Sequence, residues 1–406
     1  MKKLRIGIVG AGGRGIHCFG VLLLRRPDEC ELVALADPNR PRMEAGLDHL
    51  KTRCELYEDP QAMLARKDID AAVITTPDYL HERMAVAALK AGKHIFVDKP
   101  LATTTEGCMN ILAAARKAKR LVYMGFNMRF DPVVQKTKAL VVSGALGKLF
   151  SIQSQEFYDG GKTYMARWNR LKKFSGGLFI HKGTHDLDVI NWLMAARPAR
   201  VSAFANVSVL KPEGLPFKLR PGETYGPCCT DCAQAERCPD HWTRGEGMYG
   251  KEAIKADGYV RDTCMYQSEK DTHDQGIVIV EYENGQTASH SEYFVTSLSN
   301  RIYTVLGDRA TAEADLHANT ITVNPRWSQD VIEHRVSRGQ GGHGGADPTM
   351  VRNFLACLRG EEKPLSSPVD GVWAVAVGEA AEISRAEKRM VEIKELVNAK
   401  SKLLTE

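Results

Sequence analysis

Residues 4–15 read Leu4-Arg-Ile-Gly-Ile-Val-Gly10-Ala-Gly12-Gly13-Arg14-Gly15. A β-branched apolar run, Ile6 to Val9, feeds directly into G-x-G-x-x-G, and a helix-compatible apolar segment follows from Ile16 to Leu24. Strand, glycine turn and helix in that order form a pyrophosphate site. Gly10 permits the tight turn, Gly12 lets the backbone approach the phosphates, and Gly15 lets the helix lie close on the strand. The helix N-terminus, with Gly13 and Arg14 in its opening turn, offers N–H groups and partial positive charge to an anion. A second apolar run, Glu31 to Ala36, ends at Asp37. A carboxylate at a strand end about 20 residues past the glycines is placed to bind a ribose diol. An ordinary βαβ turn with a surface Asp explains any one of these features; the three together point to a dinucleotide.

The chain has 406 residues, enough for two domains with separate cores. At 43% hydrophobic and 26% charged, its composition favours neither disorder nor a membrane class. The net charge of +5 is spread without long basic runs, so no nucleic-acid partner is expected. No apolar run reaches the ~18 residues of a transmembrane helix, so no membrane partner is expected either. Met1-Lys2-Lys3 resembles the start of a signal peptide, yet a glycine-rich nucleotide site follows it. A cytoplasmic location is the expectation.

Strand and helix patterns alternate from residue 1 to 125. Helices are expected over Arg42–Lys51, Gln61–Ala65, Tyr79–Ala91 and Thr103–Lys119, and strands at Asp70–Thr75, His94–Asp98 and Leu121–Gly125. This rhythm implies an α/β fold: a parallel sheet with helices on both faces, binding ligands at the carboxyl ends of its strands. Gly10, Asp37, Thr75-Thr76-Pro77, Asp98-Lys99 and Gly125 all fall at such ends. Lys99 stands out among them. Oxidising an alcohol by hydride loss needs a group to take the hydroxyl proton and a charge to hold the developing alkoxide, and a desolvated Lys can do either. A surface Lys at a strand end is the bland alternative.

Gly10 to Gly15, Thr75-Thr-Pro-Asp-Tyr-Leu-His81, Ala91-Gly-Lys-His94 and Val97-Asp-Lys-Pro100 together resemble the Gfo/Idh/MocA oxidoreductase family of inositol and sugar dehydrogenases. The family's usual Glu-Lys-Pro is Asp98-Lys99-Pro100 here. Asn127 with Arg129-Phe130, and Gly144-Ala-Leu-Gly147, are similar to family segments after the last Rossmann strand. The resemblance implies a Rossmann domain over residues 1–126. An α+β substrate and oligomerisation domain would follow over 127–406, with an open, largely antiparallel sheet. It also implies a nicotinamide cofactor held by Gly10, Gly12, Gly13, Arg14, Gly15, Asp37, Arg40, Thr75, Thr76, Pro77, His81, Asp98, Lys99 and Asn127. NAD is expected, because Asp37 repels a 2′-phosphate; nearby Arg40 leaves NADP open.

The second motif cluster is Ser175-Gly-Gly-Leu-Phe-Ile-His181-Lys182-Gly-Thr-His185-Asp186. On a helix running from residue 181, His181 and His185 share a face, and Lys182 and Asp186 form another i, i+4 pair. A helix start with a satisfied His pair and a metal-binding His-x-x-x-His are both compatible with this spacing. The resemblance implies an active-site helix with Asp-x-x-x-His after a Gly-Gly pair. His185 then matches the proton-transferring His, and His181 replaces the Asp as a substrate contact or modifier, beside Lys182. Arg167-Trp168-Asn169-Arg170, just upstream, is expected to line the pocket near the nicotinamide; for Trp168 a place in the core is the alternative.

Five of the ten cysteines lie between 228 and 264, inside a Gly-, Pro- and charge-rich insert at about 211–266. Cys229, Cys232, Cys238 and Cys264 could bind a structural zinc; free thiols and redox-linked pairs are the alternatives. From residue 276 onward, short alternating runs and the Asn284-Gly285 turn suggest an antiparallel meander with one face on helices. The resemblance implies that its outer face pairs with another subunit, giving a homo-oligomer (dimer or tetramer). Asp347 before Pro348 is an expected N-cap, and His343 in the preceding Gly-rich loop an expected closing residue over substrate. Helices are expected over Val369–Arg389 and Val391–Leu404.

The activity expected is hydride transfer between NAD and a secondary hydroxyl of a sugar, glycoside or cyclitol, with Lys99 and His185 sharing proton transfer and oxyanion stabilisation. Redox-neutral glycoside cleavage through transient oxidation, and a non-catalytic nucleotide sensor, are the alternatives.

Overall fold

The computed structural model describes residues 2–397 and 402–404, without the side chains of residues 342 and 343. The N-terminal strands are β1 (Leu4–Val9), β2 (Cys30–Ala36), β3 (Glu55–Tyr57), β4 (Ala71–Ile74), β5 (His94–Asp98) and β6 (Val122–Gly125). They form one parallel sheet in the order β3-β2-β1-β4-β5-β6. The order reverses between β1 and β4, where Val9 pairs with Ile74, so a crevice opens beyond these strand ends. The helix after the glycines starts with π turns over Arg14–Gly20 and continues as α-helix Val21–Leu24.

Nine strands form the second sheet: β7 (Leu149–Asp159), β8 (Pro198–Asn206), β9 (Gln275–Tyr282), β10 (Thr287–Tyr293), β11 (Val295–Gly307), β12 (Ala310–Asp315), β13 (Thr320–Pro325), β14 (Ile332–Arg335) and β15 (Val391–Glu392). Their order is β14-β13-β12-β11-β7-β10-β9-β8-β15. All neighbours are antiparallel except β7 and β10, which run parallel and so depart from a simple meander. The sequence reading lacked β7 and β8, although β7 alternates buried and exposed residues along most of its length. The segment from Val391, expected to be helical, begins as β15 paired with Val201, because Val391 and Ile393 fill the core under the sheet edge. A short helix, Lys394–Val397, follows; residues 398–401 of that expected helix lie outside the described residues.

Two C-terminal helices tie the sheets together. Helix Ala346–Leu358 lays Met350, Val351, Phe354 and Leu355 on one face of the first sheet, against Ile6, Ile8, Phe96 and Tyr123. Helix Pro368–Glu387 contributes Val372, Ala374 and Val375 to the other face and Ala376, Val377, Ala380 and Ala381 to the core of the second sheet. Each fully buried large apolar side chain contributes about 1.5–3 kcal/mol. Asp347 does not cap its helix; Gly345 stands at the N-cap in a left-handed conformation, and Asp347 lies in the first turn with its carboxylate turned to Arg14 and Asn127.

Where the chain leaves the first sheet, Arg129 makes a two-pronged pair with Asp188 at 2.9 and 2.7 Å. The same guanidinium reaches Asp370 at 3.1 Å and the Leu365 carbonyl at 2.9 Å. Side-chain exposure is 2% for Arg129 and 1% for Asp188, so removing one partner strands a buried charge. Arg129→Ala is expected to lower unfolding free energy by about 3–5 kcal/mol, read as a reduced urea midpoint with an unchanged slope.

Candidate active site

The ends of β1, β4 and β5 open into a cleft of about 1290 Å³, whose far wall comes from the second sheet and its helices. The glycine turn forms its floor. Gly10 has φ +105°, and a Cβ on Gly15 would fall 2.0 Å from the Gly10 carbonyl oxygen, so both positions require glycine. At Gly12 and Gly13 a Cβ would meet only the Tyr249 hydroxyl, at 3.9 and 3.7 Å, so bare backbone faces the cleft. Thr75 Oγ1 donates to the Gly10 carbonyl at 3.0 Å and locks the turn to β4.

Asp37 accepts the N–H groups of Ala11 and Asn39, each at 2.9 Å, and burial raises its pKa. Arg40 is not brought to the cleft; it pairs with Glu44 on an exposed face, and Arg42 instead stands 3.6 Å from Asp37. His81 bridges the carbonyls of Pro100 at 2.7 Å and Thr76 at 3.0 Å, fixing the loops after β4 and β5. Asp98 holds Arg14 at 2.8 Å. Asn127 Nδ2 donates to Asp347 at 2.9 Å, and Pro77 and Trp168 line the cleft. Thr76 Oγ1 and Asn127 Oδ1 are buried with no hydrogen-bond partner among the described residues. Bare glycine backbone, the carboxylate at the end of β2 and these two orphaned polar atoms fit a nicotinamide dinucleotide, which these residues would hold.

Lys99 is half-buried and donates to the His181 carbonyl at 2.5 Å. Burial lowers its pKa to about 8, although Asp78 and Asp98 favour its charge. His181 Nδ1 stands 2.6 Å from Asp78 Oδ2, and Nε2 faces the Asn169 amide nitrogen at 3.2 Å. Because Asp78 can only accept and the Asn169 nitrogen can only donate, the network assigns the proton to Nδ1. Burial depresses the His181 pKa, so the ring stays neutral; Trp168 and Tyr164 pack edge-on against it at 5.3 and 5.7 Å.

Lys182 behaves oppositely to Lys99. It lies 2.8 Å from Glu156 Oε1, and although burial opposes its charge, Glu156 wins and raises its pKa. Arg301 joins the same Glu156 oxygen at 2.5 Å and Asp186 at 3.1 Å, and Tyr303 donates to Asp186 at 2.6 Å. Asp186 therefore pairs with Arg301 and Tyr303 instead of Lys182. The expected helix from 181 is broken: Leu178–His181 and Thr184–Met194 are separate helices joined through Lys182 and Gly183. His185, buried in the first turn of the second, still lines the cleft with His181, Lys182 and Lys99. The cleft thus holds an amine poised to exchange a proton and a fixed ammonium able to stabilise an oxyanion.

Sequence reasoning missed Asp78, Glu156 and Arg301; Asn169, read from the sequence as part of the pocket-lining stretch 167–170, does line the cleft. Asp78 sat inside the quoted Thr75–His81 stretch, and Glu156 was legible as a lone carboxylate on the inward period of β7. The His343 side chain lies outside the described residues.

The zinc expectation is corrected. Cys229, Cys232, Cys238 and Cys264 border one cavity of only about 20 Å³ with His241. Among the described residues, however, no three His, Cys, Asp or Glu side chains are placed to hold a metal ion. Cys264 packs as an apolar residue with Met265, Tyr266, Leu210 and Phe294, and burial pushes the Cys229 thiol up to about 12. Buried Asp262 staples the insert instead, accepting the Thr230 N–H at 2.8 Å while its carbonyl takes the Cys229 N–H at 2.7 Å.

Comparison with known proteins agrees with the geometry. Residues 4–126 match the family model described as an oxidoreductase family NAD-binding Rossmann fold, and residues 138–393 match its C-terminal alpha/beta domain. The chain belongs to the Gfo/Idh/MocA oxidoreductase family and carries its NAD-binding Rossmann domain. It is 28% identical over 392 residues to the oxidoreductase YteT of Bacillus subtilis (strain 168), covering 89% of this chain and 90% of that one. It is 29% identical over 213 residues to a myo-inositol 2-dehydrogenase of Thermotoga maritima, covering 52% of this chain and 60% of that one. A levoglucosan dehydrogenase solved with NADH and L-sorbose superposes with a TM-score of 0.76 at 18% identity, over 98% of this chain and 100% of that one, a likeness of fold. Among the described residues no helix is long and apolar enough to cross a membrane.

Gly15→Ala is expected to abolish NADH binding, measured by nicotinamide fluorescence, because its Cβ cannot fit beside the Gly10 carbonyl.

Proposed function

We propose that this chain transfers a hydride between NAD and a secondary hydroxyl of a sugar, glycoside or cyclitol. The observation that carries this reading is the pair of lysines in one cleft, Lys99 with its pKa lowered to about 8 and Lys182 paired with Glu156 at 2.8 Å. The dinucleotide, when bound, accepts or supplies the hydride at its nicotinamide ring. Lys99, as a neutral amine, takes the hydroxyl proton, and the fixed Lys182 ammonium stabilises the negative charge that develops on that oxygen. His185 borders the same space as a second proton-transfer group, and His181 with Asn169 orients the substrate edge. The relatives named as inositol dehydrogenases support a polyhydroxylated substrate. The Asp37 carboxylate supports NAD over NADP.

Having both Lys99 and His185 in one cleft also supports the second reading. One base would take the hydroxyl proton as the carbinol gives up its hydride to NAD. The other would then remove the C–H proton beside the new carbonyl, expelling the glycosidic oxygen as an alcohol. Water would add to the enone, and return of the hydride to the carbonyl would leave the cofactor oxidised again. A panel of sugars, glycosides and cyclitols with NAD separates the readings. NADH accumulation marks simple oxidation; cleaved glycoside without NADH marks elimination; a chain that binds NADH and turns over nothing marks a sensor.

For oxidation, kcat/KM is expected to rise with pH and level off above about 8, since the deprotonated amine is the acceptor. Carbonyl reduction should show the mirror-image profile, falling through the same pH. Lys99→Ala should lower kcat by about 10²–10⁴-fold while NADH still binds. Equal activity in Lys99→Ala and wild type would sink the assignment.

The outer face of the second sheet supports pairing with another copy of the chain. Phe204 and Ile277 are register partners on β8 and β9, Ile279 continues the row, and all three are exposed. An apolar stripe on adjacent strands fits an isologous partner. Phe204→Asp is expected to shift the light-scattering mass of the wild-type oligomer toward the monomer.

A further inference from the structure

The cysteine-rich insert enters the dinucleotide half of the cleft. Its 3-10 turn Gly247–Tyr249 and helix Lys251–Asp257 pack on helix Arg40–Leu50. Arg42 reaches Asp257 at 2.7 Å and the Met248 carbonyl at 3.3 Å, and Asn39 Nδ2 donates to the Ala253 carbonyl at 2.7 Å. Tyr249 then reaches the glycine turn itself, where its hydroxyl oxygen accepts the Gly13 N–H at 2.9 Å.

Behind Tyr249 stand two arginines. The Arg261 guanidinium lies 4.2 Å from the centre of the Tyr249 ring and 5.6 Å from that of Trp242. The Arg167 guanidinium lies 5.5 Å from the same Trp242 ring, so both cations share one indole. Four other arginines bordering the cleft are matched by acids: Arg14 by Asp98 and Asp347, Arg42 by Asp257, Arg301 by Glu156 and Asp186, Arg338 by Asp131; Arg83 also borders it but is exposed to solvent. Arg167 and Arg261 have no carboxylate in ion-pair range among the described residues, and their Nε atoms are buried without a hydrogen-bond partner. Burial and then the charge of Arg261 lower the pKa of Arg167; burial, His49 and Arg261 do the same to His17 in the glycine-turn helix.

Two half-buried cations sharing one indole, each with a buried Nε–H left idle, are a poor arrangement by themselves and a good one around an anion. We propose that Arg261 and Arg167 bind the dinucleotide pyrophosphate from the side opposite the glycine turn, making the insert the second half of the cofactor site. The glycine turn supplies neutral N–H donors, and the arginines supply the formal charge that this wall otherwise lacks. The Tyr249 ring spans the gap, with Arg261 on its face and the Gly13 N–H at its hydroxyl. The proposal rests on the NAD-binding Rossmann fold and not on the substrate reading.

The test is equilibrium binding of NADH, ADP-ribose and adenosine to the full chain and its variants, at low and high salt. Arg261→Ala and Arg167→Gln are expected to weaken NADH and ADP-ribose at least tenfold and to flatten the salt dependence, with adenosine unchanged. Arg261→Lys should recover part of the loss. Melting of the unliganded variants checks their fold; should Arg261→Ala not fold, Arg261→Lys and Arg167→Gln carry the comparison. Unchanged NADH and ADP-ribose affinity overturns the proposal. So does unchanged NADH affinity with weakened binding of glucuronate, which would place the pair on the substrate side. Failure of the wild type to bind NADH would instead overturn the cofactor reading.

Discussion

The site depends on one contact across the seam between the two sheets, Asp78 Oδ2 to His181 Nδ1 at 2.6 Å. Asp78 follows β4 of the Rossmann half, and His181 ends a short helix of the other half. Lys99, after β5, donates to the His181 main-chain carbonyl. One residue of the second half is thus gripped by side chain and backbone from two strand ends of the first. Buried in this way, the contact fixes the imidazole tautomer, and the distance between the cofactor floor and the substrate wall follows from it.

What lies behind this seam explains why it holds. Helix Pro368–Glu387 serves both cores, and the Arg129 guanidinium meets carboxylates on it and on the substrate-side helix Thr184–Met194. A buried pair of this kind adds less net stability than its geometry suggests, since desolvation offsets the attraction, but it penalises any other arrangement of the two halves. The relative position of the halves is therefore specified by unpaired-charge costs as well as by apolar packing.

The Rossmann half was legible because its signals are local. Strand, glycine turn, helix and acidic strand end each occupy a few consecutive residues, and the reading from Gly10 to Lys99 needed no long-range pairing. The substrate half was less legible for the converse reason. Glu156 gains meaning only because β7 runs beside β11 and brings Lys182 and Arg301 to one oxygen. Asp347 read as a cap because Pro348 follows it, yet its carboxylate is claimed by Arg14, 333 residues away. The His-x-x-x-His spacing suggested one helix face, and the break at Gly183 could not be read from periodicity. The cysteine spacing was likewise ambiguous, and burial among aromatic and aliphatic neighbours settled the place of Cys264.

The two lysines show how such non-local pairing decides chemistry. Lys182 is buried and Lys99 half-buried, both line one cleft, and desolvation acts on both in the same direction. Glu156 distinguishes them: its oxygen lies against Lys182, whereas Lys99 meets a neutral carbonyl and feels Asp78 and Asp98 only through space. Groups of one type driven to different protonation states by their surroundings divide the roles of proton acceptor and fixed charge between them. Glu156 touches neither Lys99 nor the glycine turn, yet a buried carboxylate on β7 determines which amine can lose its proton near neutral pH. In the proposed reaction the choice between the two lysines thus belongs to the second sheet, even though Lys99 itself follows a strand of the first.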